Sequence, residues 1–269
     1  MSNTKFNSQI FSKYQYYLYT KFGIKISYRK REVLRSKVDK LKLFYKIADY
    51  EVFLDTLKKN EGTAFWHDFV HEITTHKTDF FREINHFNFL KENMGKTIIN
   101  IPSISLRNEI RIWSAGCSTG EEPYTIAMLM NEIKPELYVR ILATDISKET
   151  LQTAMKGTYS PSIKKNISPY YLSKYFLRDG INFSIKDEIK NKVVFRQFNL
   201  IDLFPFKRKF DIIFCRNVMI YFSDNIIEDL LNKFYKTLVE NGLLFIGHSE
   251  SLISKKHTFK YIQPTIYKK

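Results

Sequence analysis

Arg111–Met130 reads RIWSAGCSTGEEPYTIAMLM, and this stretch decides the fold. Its first residues are apolar and strand-like. Two glycines follow among small polar residues, then two carboxylates, then an apolar run with helical spacing. A strand that passes through a glycine turn into a helix is the opening unit of a doubly wound α/β sheet. In such sheets ligands bind beyond the carboxyl ends of the strands, where glycine lets backbone approach them. Gly116 and Gly120 fit that role. The pattern is not G-x-G-x-x-G, and Glu121 and Glu122 would repel a pyrophosphate. Acids in a first helical turn also interact favourably with the helix dipole, and Glu121 is read that way. Glu122 leaves a question: which ligand suits an acidic turn?

Outward from this stretch the chain alternates. EIRIWSA, LYVRILATD, KVVFRQFN, FDIIFCRN and GLLFIGHS are short β-rich runs, separated by the helical segments EPYTIAMLMNEI, SKETLQTAMKG and NIIEDLLNKFYKTLVENG. That order predicts a mostly parallel sheet covered by helices on both faces. Residues 158–192 interrupt it and read as an inserted helix and short hairpin turning near Asp179–Gly180. Upstream the texture differs. FSKYQYYLYTKFG, REVLRSKVDKLKLFYKI, DYEVFLDTLKK and AFWHDFVHEIT space their apolar residues by three and four, as amphipathic helices do. The expected organisation is therefore an all-helical unit over 1–95 and an α/β domain over 96–269 with an inserted subdomain.

The chain has 269 residues, 44% of them hydrophobic and 16% aromatic, enough to bury a sizeable core. No apolar run approaches the 18 or so residues of a membrane span, and the N-terminal residues lack the pattern of a secretory signal. The two cysteines, Cys117 and Cys215, read as reduced thiols used for packing. A cytoplasmic location is the expectation. The net charge of +15 favours an acidic partner without choosing one. No nucleic-acid motif accompanies it, and no repeated Cys/His spacing points to a metal, so neither partner is expected.

LATD ends the second strand at Asp145, about 25 residues after Gly120, where Rossmann-type proteins hold ribose hydroxyls. A ribose ligand whose other end is cationic would suit both Asp145 and Glu122. S-adenosylmethionine has that form.

TDFFRE, WSAGCSTGEEPY, ATDIS, FNLID, FDIIFCRNVMIYF and IGHSESL occur here in one order. With them the chain resembles the CheR family of chemotaxis receptor glutamate O-methyltransferases, over nearly its whole length. The resemblance implies a Rossmann-like class I methyltransferase domain that uses S-adenosylmethionine, releases S-adenosylhomocysteine, and methylates glutamates on the cytoplasmic helical region of receptors. It implies cofactor contacts at His76, Thr78, Arg82, Gly116, Glu122, Asp145, Asn199, Leu200, Asn217 and Val218. His76 stands where relatives commonly carry Asn. Arg82 and Tyr221 are the implied catalytic residues: Arg82 faces the reaction centre and Tyr221 lies near the transferring methyl. His248 reads as a structural histidine at a strand end. Lys30, Arg31, Arg35, Lys37, Lys40 and Lys42 fall within one helical stretch and are expected to form the receptor-docking face. Some relatives grip a receptor tail peptide with a glycine-rich loop in the inserted hairpin. Here Gly180 is the only glycine of that turn, so no tail tether is expected. The competing readings are a non-catalytic S-adenosylmethionine-binding regulator and a basic nucleic-acid-binding module.

Overall fold

The computed structural model describes residues 5–269; residues 1–4 of the expected helical unit lie outside the described residues. Four helices come first: α1 (Ser8–Phe22), α2 (Arg31–Phe44), α3 (Tyr50–Lys59) and α4 (Ala64–Ile73). Local chemistry sets their ends. The Asn7 side chain accepts from Ile10 N at 2.9 Å to cap α1, Asp49 caps α3 from two backbone N–H groups, and Gly23, at φ 72°, closes α1 in the left-handed region. Their apolar faces meet in an aromatic core that includes Phe11, Tyr14, Phe22, Phe53 and Phe69.

That core closes at Val70. The next helices, α5 (Asn85–Asn93) and α6 (Pro102–Arg107), with a π-helical turn at Met94–Ile98 between them, pack elsewhere. Phe87, Leu90, Met94, Ile98 and Ile104 join the sheet core beside Ile112 and Phe245. The division expected near residue 95 thus falls inside a segment packed as one with the sheet. Helical spacing shows that a face is apolar but not which surface covers it.

The sheet follows: β1 (Glu109–Ala115), α7 (Glu121–Ile133), β2 (Tyr138–Asp145) and α8 (Lys148–Lys156). The insertion comes next, with β3 (Thr158–Tyr159), α9 (Pro169–Tyr175), β4 (Phe176–Asp179), β5 (Asn182–Ile185) and α10 (Asp187–Lys190). The main sheet resumes with β6 (Val193–Gln197), β7 (Phe210–Cys215), α11 (Asp224–Thr237), β8 (Leu238–Ile246), β9 (Lys260–Gln263) and β10 (Ile266–Lys268). Its strand order is β6-β2-β1-β7-β8-β10-β9. The first five are mutually parallel, and β10 and β9 add antiparallel pairs at one end. Every residue of β7 is buried, as expected of a parallel strand covered on both faces. Ile112 enters one core and Trp113 the other, where Trp113 is ringed by Phe198, Phe204, Phe206, Phe210 and Phe234.

Two details differ from the sequence reading. The helical run expected through Gly242 ends at Thr237, and Leu238 begins β8. Asn241, at φ 62°, makes the kink that lets this strand resume against β7. The β9–β10 hairpin was not anticipated, because its turn is Pro264–Thr265 with Thr265 at φ 65°, a residue that carries no left-handed signal. Among the described residues no helix is long and apolar enough to cross a membrane.

The helical unit is joined to the sheet domain by main-chain and side-chain bonds. Ile24 forms an antiparallel bridge with Phe222, Lys25 N–H donates to Tyr221 O at 2.8 Å, and Asn199 Nδ2 donates to Lys21 O at 2.9 Å.

Candidate active site

Strand order reverses between β1 and β7, so their carboxyl ends splay and open a crevice. A cleft of about 1100 Å³ lies there, roofed by Phe22, Ile24 and the segment after α4. All eleven residues implied by the resemblance line it: His76, Thr78, Arg82, Gly116, Glu122, Asp145, Asn199, Leu200, Asn217, Val218 and Tyr221.

The β1 side is shaped by backbone. Gly116 sits at φ 88°, and a Cβ there would lie 2.4 Å from Val218 Cγ2, so only glycine fits. Asp145, at the end of β2, accepts from Ser118 N–H at 2.9 Å and Ser147 N–H at 3.0 Å. Those bonds aim its carboxylate and leave lone pairs free. Burial raises its pKa, while the two N–H donors and nearby His76 oppose the rise. Glu121 lies outside the cleft; it is buried and accepts from Thr119 Oγ1.

The opposite side is shaped by charge. Arg216, only 6% exposed, donates from Nη1 to Glu122 Oε2 at 3.2 Å and from Nε to Glu83 Oε2 at 3.2 Å. Its Nη2 reaches the Arg82 carbonyl. Ser114 Oγ donates to the other Glu122 oxygen at 2.6 Å. The acidity of the turn is thus partly answered within the chain. Burial still holds the Glu122 carboxyl above its ordinary range. Burial pushes Glu83 up as well, but Arg216 and the donors from His248 and Asn217 bring it net below the ordinary value.

Glu250 braces the turn after β7. Its carboxylate accepts from the backbone N–H groups of Asn217, Val218, Met219 and Gly247. This holds Asn217 at φ 61°. Phe81 and Glu83 are also left-handed, at φ 55° and 57°. Non-glycine residues hold such angles only where surroundings impose them, and here they gather at the cleft. Arg82, between those two, is half-buried and donates from Nη1 to Lys77 O at 2.9 Å. His76 stacks on His71 with centroids 4.6 Å apart, and its Nε2 lies 2.9 Å from His71 O. Burial lowers its pKa, so the neutral ring donates there.

Arg216, Glu83 and Glu250 were missed although each stands inside a quoted motif. At Arg216 the signal was a charged residue directly after the fully buried strand β7, which must be paired to be buried. His248 does not end the strand as expected: it follows β8 and is exposed. Cys117 and Cys215 are buried free thiols, and burial lifts both well above the ordinary value.

A sequence profile described as "CheR methyltransferase, SAM binding domain" matches residues 76–268. Among the relatives is a chemotaxis protein methyltransferase of Borreliella burgdorferi, 40% identical, with 94% of this chain and 91% of that one covered. The proteins of the same description from Salmonella typhimurium and Escherichia coli are 34% and 33% identical over 93% of this chain, covering 86% and 87% of theirs. The parallel sheet, its glycine turn and the acid ending β2 define an S-adenosylmethionine-dependent methyltransferase. Within that class, the chain belongs to the CheR methyltransferase family. The cradle suits this cofactor: room at Gly116, a carboxylate at Asp145, and an acid in the first turn of α7.

Proposed function

We propose that this chain methylates glutamate side chains of chemotaxis receptors, forming glutamyl methyl esters. The observation that carries this reading is that Arg82, Tyr221, Glu122 and Asp145 border one cleft in a chain of this family. Bound S-adenosylmethionine supplies an activated sulfonium methyl. The residues of the chain have an orientation task. The Lys77 carbonyl fixes one side of the Arg82 guanidinium, whose remaining donors hold the incoming carboxylate in a charge-assisted fork. Tyr221 sets the angle of attack. Asp145 receives ribose hydroxyls, Glu122 faces the cationic end, and Asn199, Leu200, Asn217 and Val218 flank the adenosine. Thr78 and the ring of His76 complete the wall. No general base is required, because a glutamate is already ionised near neutral pH.

The receptor helix docks, in this reading, on the outward face of α2, where Lys30, Arg35 and Lys40 are exposed beside Leu43 and Phe44. Arg31 and Lys42 are withdrawn from the expected face. Arg31 bonds Phe6 O and Tyr28 Oη, and buried Lys42 lies 3.2 Å from the centroid of the Tyr50 ring. The two-residue Gly180–Ile181 turn of the insertion supports engagement without a tail peptide.

The test is transfer of labelled methyl from S-adenosylmethionine to receptor-containing membranes, with base-labile ester as the readout. Base-stable label would overturn the glutamate assignment. Arg82→Ala should lower turnover about a hundredfold with little change in cofactor affinity, and Arg82→Lys should recover part, since lysine lacks the planar fork. Equal losses of turnover and affinity would make Arg82 a cofactor ligand only.

A further inference from the structure

Beside the cleft, the Glu83–His86 segment and the turn after β8 bring Glu83, His86 and His248 together, their ligand atoms all within 4.8 Å of one another. His86 Nε2 lies 2.6 Å from Thr265 Oγ1. With the ring proton on Nε2, Nδ1 presents a lone pair. His86 is 1% exposed, and this nitrogen has no hydrogen-bond partner. It faces Glu83 Oε2 at 3.7 Å. A buried ring nitrogen without a hydrogen-bond partner is costly, and a cation shared with the Glu83 carboxylate would supply one.

We propose that Glu83, His86 and His248 form a binding site for a divalent transition-metal ion of the zinc type. Two imidazoles and one carboxylate are a donor set that zinc takes in tetrahedral sites with an open fourth position. Metal–ligand bonds of about 2.0–2.2 Å place tetrahedral ligands about 3.4 Å apart, so His86 and Glu83 are nearly preset. His248, exposed on the turn after β8, swings in from solvent. Glu83 and Glu122 carry two negative charges against the single positive charge of Arg216, which leaves the cluster able to accept a cation. Glu83 and His86 stand three residues apart, but His248 joins them only in the fold.

Occupancy would have a consequence. The ion shares Glu83 Oε2 with Arg216, and Arg216 also holds the Arg82 carbonyl. Loading the site weakens that brace and inhibits the enzyme.

The experiment titrates zinc chloride into the chelator-treated, untagged full chain by calorimetry, with cobalt(II) absorption as a check on ligand geometry. One ion per chain is expected. His248→Gln, a surface change, should weaken binding about tenfold or more, with an unchanged melting temperature showing that the fold is intact. Absence of saturable binding at about 100 μM zinc, or one ion still bound with parental affinity in His248→Gln, would overturn the site. This arm does not depend on the reaction run in the cleft. The second arm rests on the methyl-transfer reading: zinc should inhibit the parent and require about tenfold more to inhibit His248→Gln. Equal inhibition of both would break the link between the ion and Arg82.

Discussion

The two sides of the cleft are built by different physics. On the β1 side, Gly116 and the N–H groups that hold Asp145 shape the wall with main chain. On the β7 side, Arg216, Glu83 and Glu250 shape it with buried charge, and their contacts hold Asn217 and Glu83 in left-handed backbone. A wall of main chain is sensitive to added atoms. A wall of charge is sensitive to removed ones.

The sharpest way to break this comparison is Arg216→Met. Removing one member of a buried ion network leaves two carboxylates uncompensated and should cost about 3–5 kcal/mol of stability in urea unfolding. Adding Glu83→Gln to that variant should recover part of the loss; no recovery would mean Arg216 acts through packing on Phe87 instead. On the other wall, Gly116→Ala should destabilise by about 1–3 kcal/mol through its φ and its collision with Val218. Val218→Ala should relieve only the collision, because the backbone angle persists. Asp145→Ala should leave stability less affected and weaken S-adenosylmethionine binding by about 1–3 kcal/mol in calorimetry. Unchanged affinity in a folded variant would remove Asp145 from the ribose.

The smallest effect is a pH profile. Burial lifts the Glu122 carboxyl above the ordinary glutamate value of 4.5, so the folded chain binds that proton more tightly than the unfolded chain. Its contribution therefore favours folding at low pH and is lost as pH rises from 4.5 through the folded value. Glu122→Gln should flatten that part of the stability profile. An identical slope in parent and variant would show that Arg216 fully compensates the charge.

The same division explains what could be read from the sequence. The β1 wall was legible because glycine turns, a strand-end acid and strand–helix alternation are local patterns, and Gly116, Glu122 and Asp145 meet where those patterns put them. The resemblance supplied Arg82, Asn199 and Tyr221. The partners of Arg216 were not legible, because Glu83 and Glu122 both lie far upstream of it in sequence and a lone arginine carries no periodicity. The placement of α5 and α6 on the sheet was hidden for the related reason that an apolar stripe does not name its cover.

The strip from Gly23 to Lys25, which ties the helical unit to the cleft, is made of peptide groups. Every amino acid but proline carries the N–H that Lys25 offers to Tyr221, so the seam tolerates sequence drift. Gly23 is its fixed point: a methyl group there would sit 2.8 Å from Ile201 Cγ2. The roof over the cleft can thus change its surface while this attachment stays the same, and Lys25→Pro would remove one bond of the seam without altering a single side chain inside the cleft.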